Sequence, residues 1–275
     1  MNGQKVTEKG GEGLYLLCFA RAGLLPHIEG KGIDGRSPLF LWRVRDVVAV
    51  LCRISLADFC GASAERRMRD ISWLGPRVCR HEKVVEHVMR HSPVFPARFG
   101  TIFSSLESLE SLLERHGGEI SCFLDRVADK EEWAVKGFLD RARAREGLFS
   151  TSLSARSEAL ASLSPGTRYV EQKRIHRGME KEVTRWLSEV LKRVANDFSR
   201  QSSDFRERKV LGGENRRGDM ILNWAFLVSR SGVVDFRRRV DSANADFSQR
   251  GLTFELSGPW PPYSFCPSLE KEDEG

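Results

Sequence analysis

No Cys-x-x-Cys pair occurs in this chain, although it holds six cysteines. Cys18, Cys52, Cys60, Cys79, Cys122 and Cys266 are scattered over its length. That scatter suits neither a zinc knuckle nor a disulfide framework, so reduced buried thiols are expected. No apolar run approaches the roughly 20 residues that a membrane-crossing helix needs. Met1 to Gly13 is polar and glycine-rich, without the apolar core of a secretory signal. A cytoplasmic protein with no membrane span follows. No Gly-x-Ser-x-Gly elbow is present, and Gly212-Gly213 to Gly218 lacks the Gly-Lys-Ser/Thr ending of a phosphate loop. His81, Glu82 and His87 miss the spacing of a zinc protease helix, and His87 with His91 offers only two ligands. With no convergence of acid, base and nucleophile, neither catalysis, metal, cofactor nor small-molecule substrate is expected.

What is present is an ordinary globular composition, 40% hydrophobic and 30% charged, over 275 residues. That length makes one large or two ordinary domains. The net charge is +6, with a pI near 9.1. Acids interrupt the basic residues, as in Glu65-Arg66-Arg67-Met68-Arg69-Asp70, which reads as solvated helix faces. Such an excess gives general attraction to acidic surfaces and no specific nucleic-acid site.

The first part of the chain reads as strands followed by helices. Leu14 to Ala20 is a buried strand, and Leu39 to Val44 with Val47 to Ile54 forms a hairpin across Arg45-Asp46. The glycine-rich stretch from Pro26 to Ser37 reads as a mobile loop. A helix capped by Asp58 or Ser63 precedes a second one, whose stripe is Val78, His81, Val84, Val85, Val88 and Met89. Pro76 is placed near the start of that second helix. Val94 to Phe103 is extended. Leu106 to Leu113 reads as a short helix stopped by Gly117-Gly118, and Ile120 to Val127 as another.

From residue 130 the order is strand, helix, strand, strand, helix, strand. Its elements are Trp133 to Leu139, a helix from Ser164-Pro165 to Phe198, Phe205 to Leu211, Met220 to Val228, Val233 to Phe247, and Leu252 to Leu256. This is the ferredoxin-like βαββαβ arrangement. Arg141 to Ser164 forms a variable, arginine-rich insertion. The expected fold class is therefore α+β in two domains. A mixed α+β domain spans 1–129, a ferredoxin-like domain with its closing segment spans 130–266, and an acidic, disordered tail spans 267–275.

The closing run Ser257-Gly258-Pro259-Trp260-Pro261-Pro262-Tyr263-Ser264-Phe265 is the most distinctive stretch. Three prolines forbid a helix or a central strand. Three aromatics are too much apolar surface to leave in water, so a rigid docked segment is expected, with Trp260 as its anchor. Exposed instead, Trp260 is a hot-spot candidate. Together with Gly13-Leu14-Tyr15-Leu16, Pro93 to Thr101, Glu132 to Lys136 and Leu222 to Val228, this run resembles the gas vesicle accessory proteins of the GvpL/GvpF family. The resemblance spans about residues 13 to 266. It implies a two-part α+β architecture and a non-catalytic, minor structural role in gas vesicle assembly. The implied partners are the hydrophobic vesicle shell protein and other accessory proteins.

Interaction or structural candidates are Arg98, Phe99 and Gly100 in the middle run, Asn223 inside an apolar strand, and Trp260, Pro261, Pro262 and Tyr263 at the end. Arg98 needs a carboxylate or carbonyls for its donors, supplied within the domain or by a partner. Asn223 implies a structural hydrogen bond. An RNA-binding module on the ferredoxin-like domain is the alternative, with Trp224 and Phe226 as base-stacking rings. Sheet core is the simpler account of those two.

Overall fold

The computed structural model describes residues 11–59, 62–149, 164–210 and 218–269. The chain divides into two compact units, residues 1–129 with 261–275, and residues 130–260. The closing run is thereby split. Its residues through Trp260 belong to the second unit, and those from Pro261 onward to the first, where the sequence had suggested one continuous closing segment for the second.

The first unit is built on β1 (Glu12–Arg21), β2 (Leu39–Val44), β3 (Val47–Ser55), β4 (Val94–Pro96) and β5 (Ile102–Phe103). These strands form one antiparallel sheet in the order β2-β3-β1-β4, with β5 also on β1. The expected hairpin forms, and Arg45 takes the left-handed conformation of its turn, φ 55°. β1 is buried on both faces, which explains its unbroken apolar run. Its register shifts between Leu16 and Cys18, so Tyr15, Leu17, Cys18 and Ala20 all enter one core with Val85 and Val88.

Helices α1 (Leu56–Phe59) and α2 (Ala62–Arg69) precede α3 (Ile71–Met89) and α4 (Leu106–Val127). Asp70 caps α3 by accepting from the Ser72 N–H at 2.9 Å. The helix therefore starts earlier than the sequence suggested, Pro76 lies in its second turn, and Val78 is exposed. α4 runs through Gly117-Gly118 without a break. Its buried stripe of Leu109, Leu113, Ile120, Phe123, Leu124 and Val127 outweighs the poor helix propensity of two glycines. The Pro26–Ser37 loop is anchored, with Ile33 fully buried and the Gly32 N–H donating to the Ser37 carbonyl at 2.8 Å.

The second unit contains β6 (Lys130–Leu139), α5 (residues 141–149), α6 (Pro165–Ser199), β7 (Asp204–Glu207), β8 (Asp219–Ser229), α7 (Val233–Phe247) and β9 (Leu252–Trp260). The sheet is antiparallel in the order β7-β8-β6-β9. Leu222, Trp224, Phe226 and Val228 alternate along β8 and share one core with Phe198 of α6, Phe236 of α7 and Phe254 of β9. Period-two strands thus present one face to two amphipathic helices. β9 runs past Leu256 to Trp260, farther than expected. It is an edge strand, where Pro259 removes no ladder hydrogen bond. Gly258 has φ 141°, and a Cβ there would meet the Glu132 carbonyl oxygen at 2.9 Å. Residues 211–217, which hold most of the Gly212-Gly213 to Gly218 run, lie outside the described residues, as do Cys60, the tail from 270 and 150–163 of the insertion.

Candidate functional site

Three of the singled-out sequence runs meet around one side chain, His81. It lies on the inward stripe of α3, 2% exposed. A buried imidazole must satisfy two ring nitrogens. Nδ1 lies 2.9 Å from the Tyr15 hydroxyl, and Nε2 lies 3.2 Å from both the Ala97 carbonyl oxygen and the Tyr263 hydroxyl. A carbonyl only accepts, so the proton sits on Nε2 and Nδ1 accepts from Tyr15. The Tyr15 oxygen in turn accepts from the Gly100 N–H at 3.0 Å. The Tyr263 hydroxyl donates to the Glu82 carboxylate at 3.1 Å. Each proton in this knot has an acceptor, which is what makes a buried polar cluster stable.

The electrostatics agree with a neutral imidazole and neutral phenols. Burial pushes the His81 pKa down to about 4, with the Ala97 carbonyl opposing the shift. Burial raises both phenols well above the ordinary tyrosine range, and for Tyr263 the neighbouring Glu82 carboxylate adds to it. The rings around the knot are aromatic. Phe99 stands edge-on to Tyr15 and to His81, each at 5.9 Å between centroids.

The middle run divides its labour. Phe99 packs, and Gly100 turns its N–H to Tyr15 from a left-handed conformation, φ 90°, that suits glycine. Arg98 is exposed, and its carbonyl accepts from the Thr101 N–H at 3.1 Å and hydroxyl at 2.7 Å. Its side chain borders a mainly apolar cavity of about 220 Å³, walled by Phe19, Phe95, Leu112, Tyr263 and Cys266.

The end of the chain is docked as expected, by different residues. Pro261 and Pro262 are buried, Phe265 is 3% exposed, and the Phe265 carbonyl accepts from Arg126 Nη2 at 2.6 Å. Trp260, the expected anchor, is 38% exposed, and its indole N–H donates to Ser257 Oγ at 3.2 Å. Trp260 and Asn223 belong to the second unit and take no part in the knot. Asn223 donates weakly to the Lys209 carbonyl at 3.4 Å, while its Oδ1 has no partner among the described residues. Trp224 and Phe226, the rings of the RNA alternative, are buried in core. Among the described residues no group of three metal-ligating side chains occurs, and no helix is long and apolar enough to cross a membrane.

The sequence marks His81 only as inward, Tyr15 only as part of the Gly13 to Leu16 run and Glu82 only as part of a rejected zinc spacing. Their partners lie 66 and 181 residues away along the chain, a separation that periodicity does not report.

Two antiparallel sheets with this helix placement define an α+β fold seen in gas vesicle proteins. The crystal structure of the gas vesicle protein GvpF from Anabaena sp. PCC7120 superposes with a TM-score of 0.69 at 18% identity, covering 94% of this chain and 97% of that one. The GvpF structure from Microcystis aeruginosa gives 0.64 at 20% identity, covering 93% and 99%. Gas vesicle protein L of Streptomyces sp. (strain CB03234) is 28% identical over 263 residues, 94% of each chain. Gas vesicle protein F1 of Halobacterium salinarum is 22% identical over 242 residues, 86% of this chain and 85% of that protein. The family model described as gas vesicle synthesis protein GvpL/GvpF matches residues 13–267. The chain belongs to the GvpL/GvpF family and is a gas vesicle protein of a structural and accessory kind, not an enzyme.

Proposed function

We propose that this chain acts in gas vesicle formation by binding the hydrophobic shell protein and other accessory proteins, without catalysing a reaction. The observation behind this reading is the convergence of the signature runs. Gly13 to Leu16, the Arg98-Phe99-Gly100 run and the Pro261-Pro262-Tyr263 run fix one another through His81, so the resemblance marks a rigid scaffold. A subunit that coats a gas space exposes a sticky apolar surface before it polymerises. Occupying that surface delays its aggregation. Arg98 beside an apolar cavity and the exposed Trp260 are the contact residues we assign. Tyr263, Pro261 and Pro262 hold the docked end, and Asn223 has a structural role in β8. We read residues 1–129 with the returning end as one domain and 130–260 as a ferredoxin-like one. The β-α-β-β-α-β order and the strand order β7-β8-β6-β9 support that name.

The test is co-purification of tagged protein with the shell protein, together with vesicle formation after deletion of the gene. Recovery of the shell protein, lost with Trp260→Ala or Arg98→Ala, is expected. No recovery, with normal vesicles in the deletion strain, overturns the reading.

A further inference from the structure

The positive charge of this chain is concentrated in one place. Residues 141–149 and 165–181 hold eight Lys/Arg and three Glu, a net +5 against +6 for the whole protein. The two segments lie together, because Arg141 and Arg145 both pair with Glu180, at 3.5 and 3.3 Å. α6 buries its apolar stripe only from Met179 onward. Its preceding residues, 165–178, are largely exposed, a stretch of about 21 Å at 1.5 Å per residue. Along it runs a shallow groove bordered by Tyr169, Val170, Lys173, Arg174, Arg177 and Lys181. The spacing 170, 173/174, 177, 181 puts these residues on one helical face. Tyr169 is 58% and Val170 62% exposed. The Lys173 ammonium lies 4.7 Å from the Tyr169 ring centre. Both carboxylates of this stretch are committed, Glu171 to Arg174 and Glu180 to α5. No carboxylate among the described residues pairs with Lys173, Arg177 or Lys181.

We propose that this face of α6 docks an acidic amphipathic helix of a partner polypeptide, with carboxylates at three- and four-residue spacing opposite Lys173, Arg174, Arg177 and Lys181. An apolar side chain of the partner would sit on Tyr169 and Val170. The pattern is that of charges flanking an apolar seam between two helices, which set partner choice and register. A polypeptide fits better than a nucleic acid because a helix can place its few carboxylates opposite Lys173, Arg177 and Lys181 and leave Glu171 and Glu180 without a facing anion, whereas a nucleic acid carries a charge on every phosphate. This surface is distinct from the knot and cavity, and it needs no shell protein.

The experiment uses the full-length protein and a labelled synthetic helical peptide of about 20 residues, carrying Glu at the matching spacing and one Leu. Its controls are a peptide of equal composition with scrambled spacing and a single-stranded RNA oligomer of equal charge. Fluorescence anisotropy is read between about 50 and 500 mM salt. The matched peptide should bind about tenfold tighter than the scrambled one and weaken about tenfold with salt. Arg174→Glu with Arg177→Glu should abolish binding and restore it to a peptide with Lys in place of Glu. Val170→Ser should weaken binding while leaving the circular dichroism spectrum unchanged. Equal binding of matched and scrambled peptides overturns the proposal, as does tighter binding of the RNA or failure of the charge swap.

Discussion

The two units solve the problem of a core in different ways. The second fills its interior with rings. Phe198 stands edge-on to Phe226, Phe236 and Phe254, with centroids 5.8 to 6.0 Å apart. The first unit places a hydrogen-bonded knot beside its apolar core and closes it with residues from the far end of the chain. An aromatic core is insensitive to pH and tolerates no lost volume. A polar knot is sensitive to pH and depends on every partner being present.

The sharpest way to break this contrast is to empty the aromatic core. Phe226→Ala should destabilise the second unit by about 3–5 kcal/mol, seen as a lower denaturant midpoint in tryptophan fluorescence, with no added dependence on pH. A midpoint unchanged by this substitution would refute the packing described here.

The next effect separates the units by acid. His81 is neutral when folded, with its pKa depressed to about 4, and regains an ordinary value near 6.5 on unfolding. The unfolded chain binds the extra proton between those values. Stability is therefore full above about pH 6.5, falls as pH drops toward 4 and levels off below, by about 3 kcal/mol in all. Urea unfolding across that range should show the slope, and His81→Gln should flatten it. An unchanged slope in the variant would move the titration elsewhere.

A smaller effect comes from the docked end. Tyr263→Phe keeps the ring but removes the donor to Glu82, leaving a half-buried carboxylate with one partner fewer. The cost should be about 1–2 kcal/mol, with amide exchange quickened around residues 261–266. The smallest effect sharpens the account of α4. Neither Gly117 nor Gly118 has an atom within 4 Å of an added Cβ. Alanine at either position should stabilise the first unit by about 0.5–1 kcal/mol, seen as a higher melting temperature.

The same contrast explains what was legible in the sequence. β1, the β2-β3 hairpin, α6, β8 and α7 follow from periodicity and turn chemistry, because each buries a face that repeats along the chain. α4 was read as two helices because local propensity at Gly117-Gly118 gave no hint of how much apolar surface lay on either side. The closing run reads as one docked segment, yet its division between Trp260 and Pro261 depends on partners in distant segments. The knot was hidden for the same reason. His81 looked like one more inward residue of an apolar stripe, and only the assembled unit brings two phenols to its ring. The charge focus on α5 and α6 is in plain view as composition but invisible as a place, because the adjacency of the two helices shows only in the folded unit, where Arg141 and Arg145 reach Glu180.

The return of the chain to its first unit has a consequence for biogenesis. On the ribosome, residues 130–260 emerge with every strand of their own sheet and can close at once. The portion translated earliest must wait for Tyr263 to clear the exit tunnel before its last hydrogen bonds form. The half made first is therefore the half finished last, and a nascent chain stalled before that codon would leave Glu82 without the Tyr263 donor and His81 with one phenol, Tyr15, in place of two.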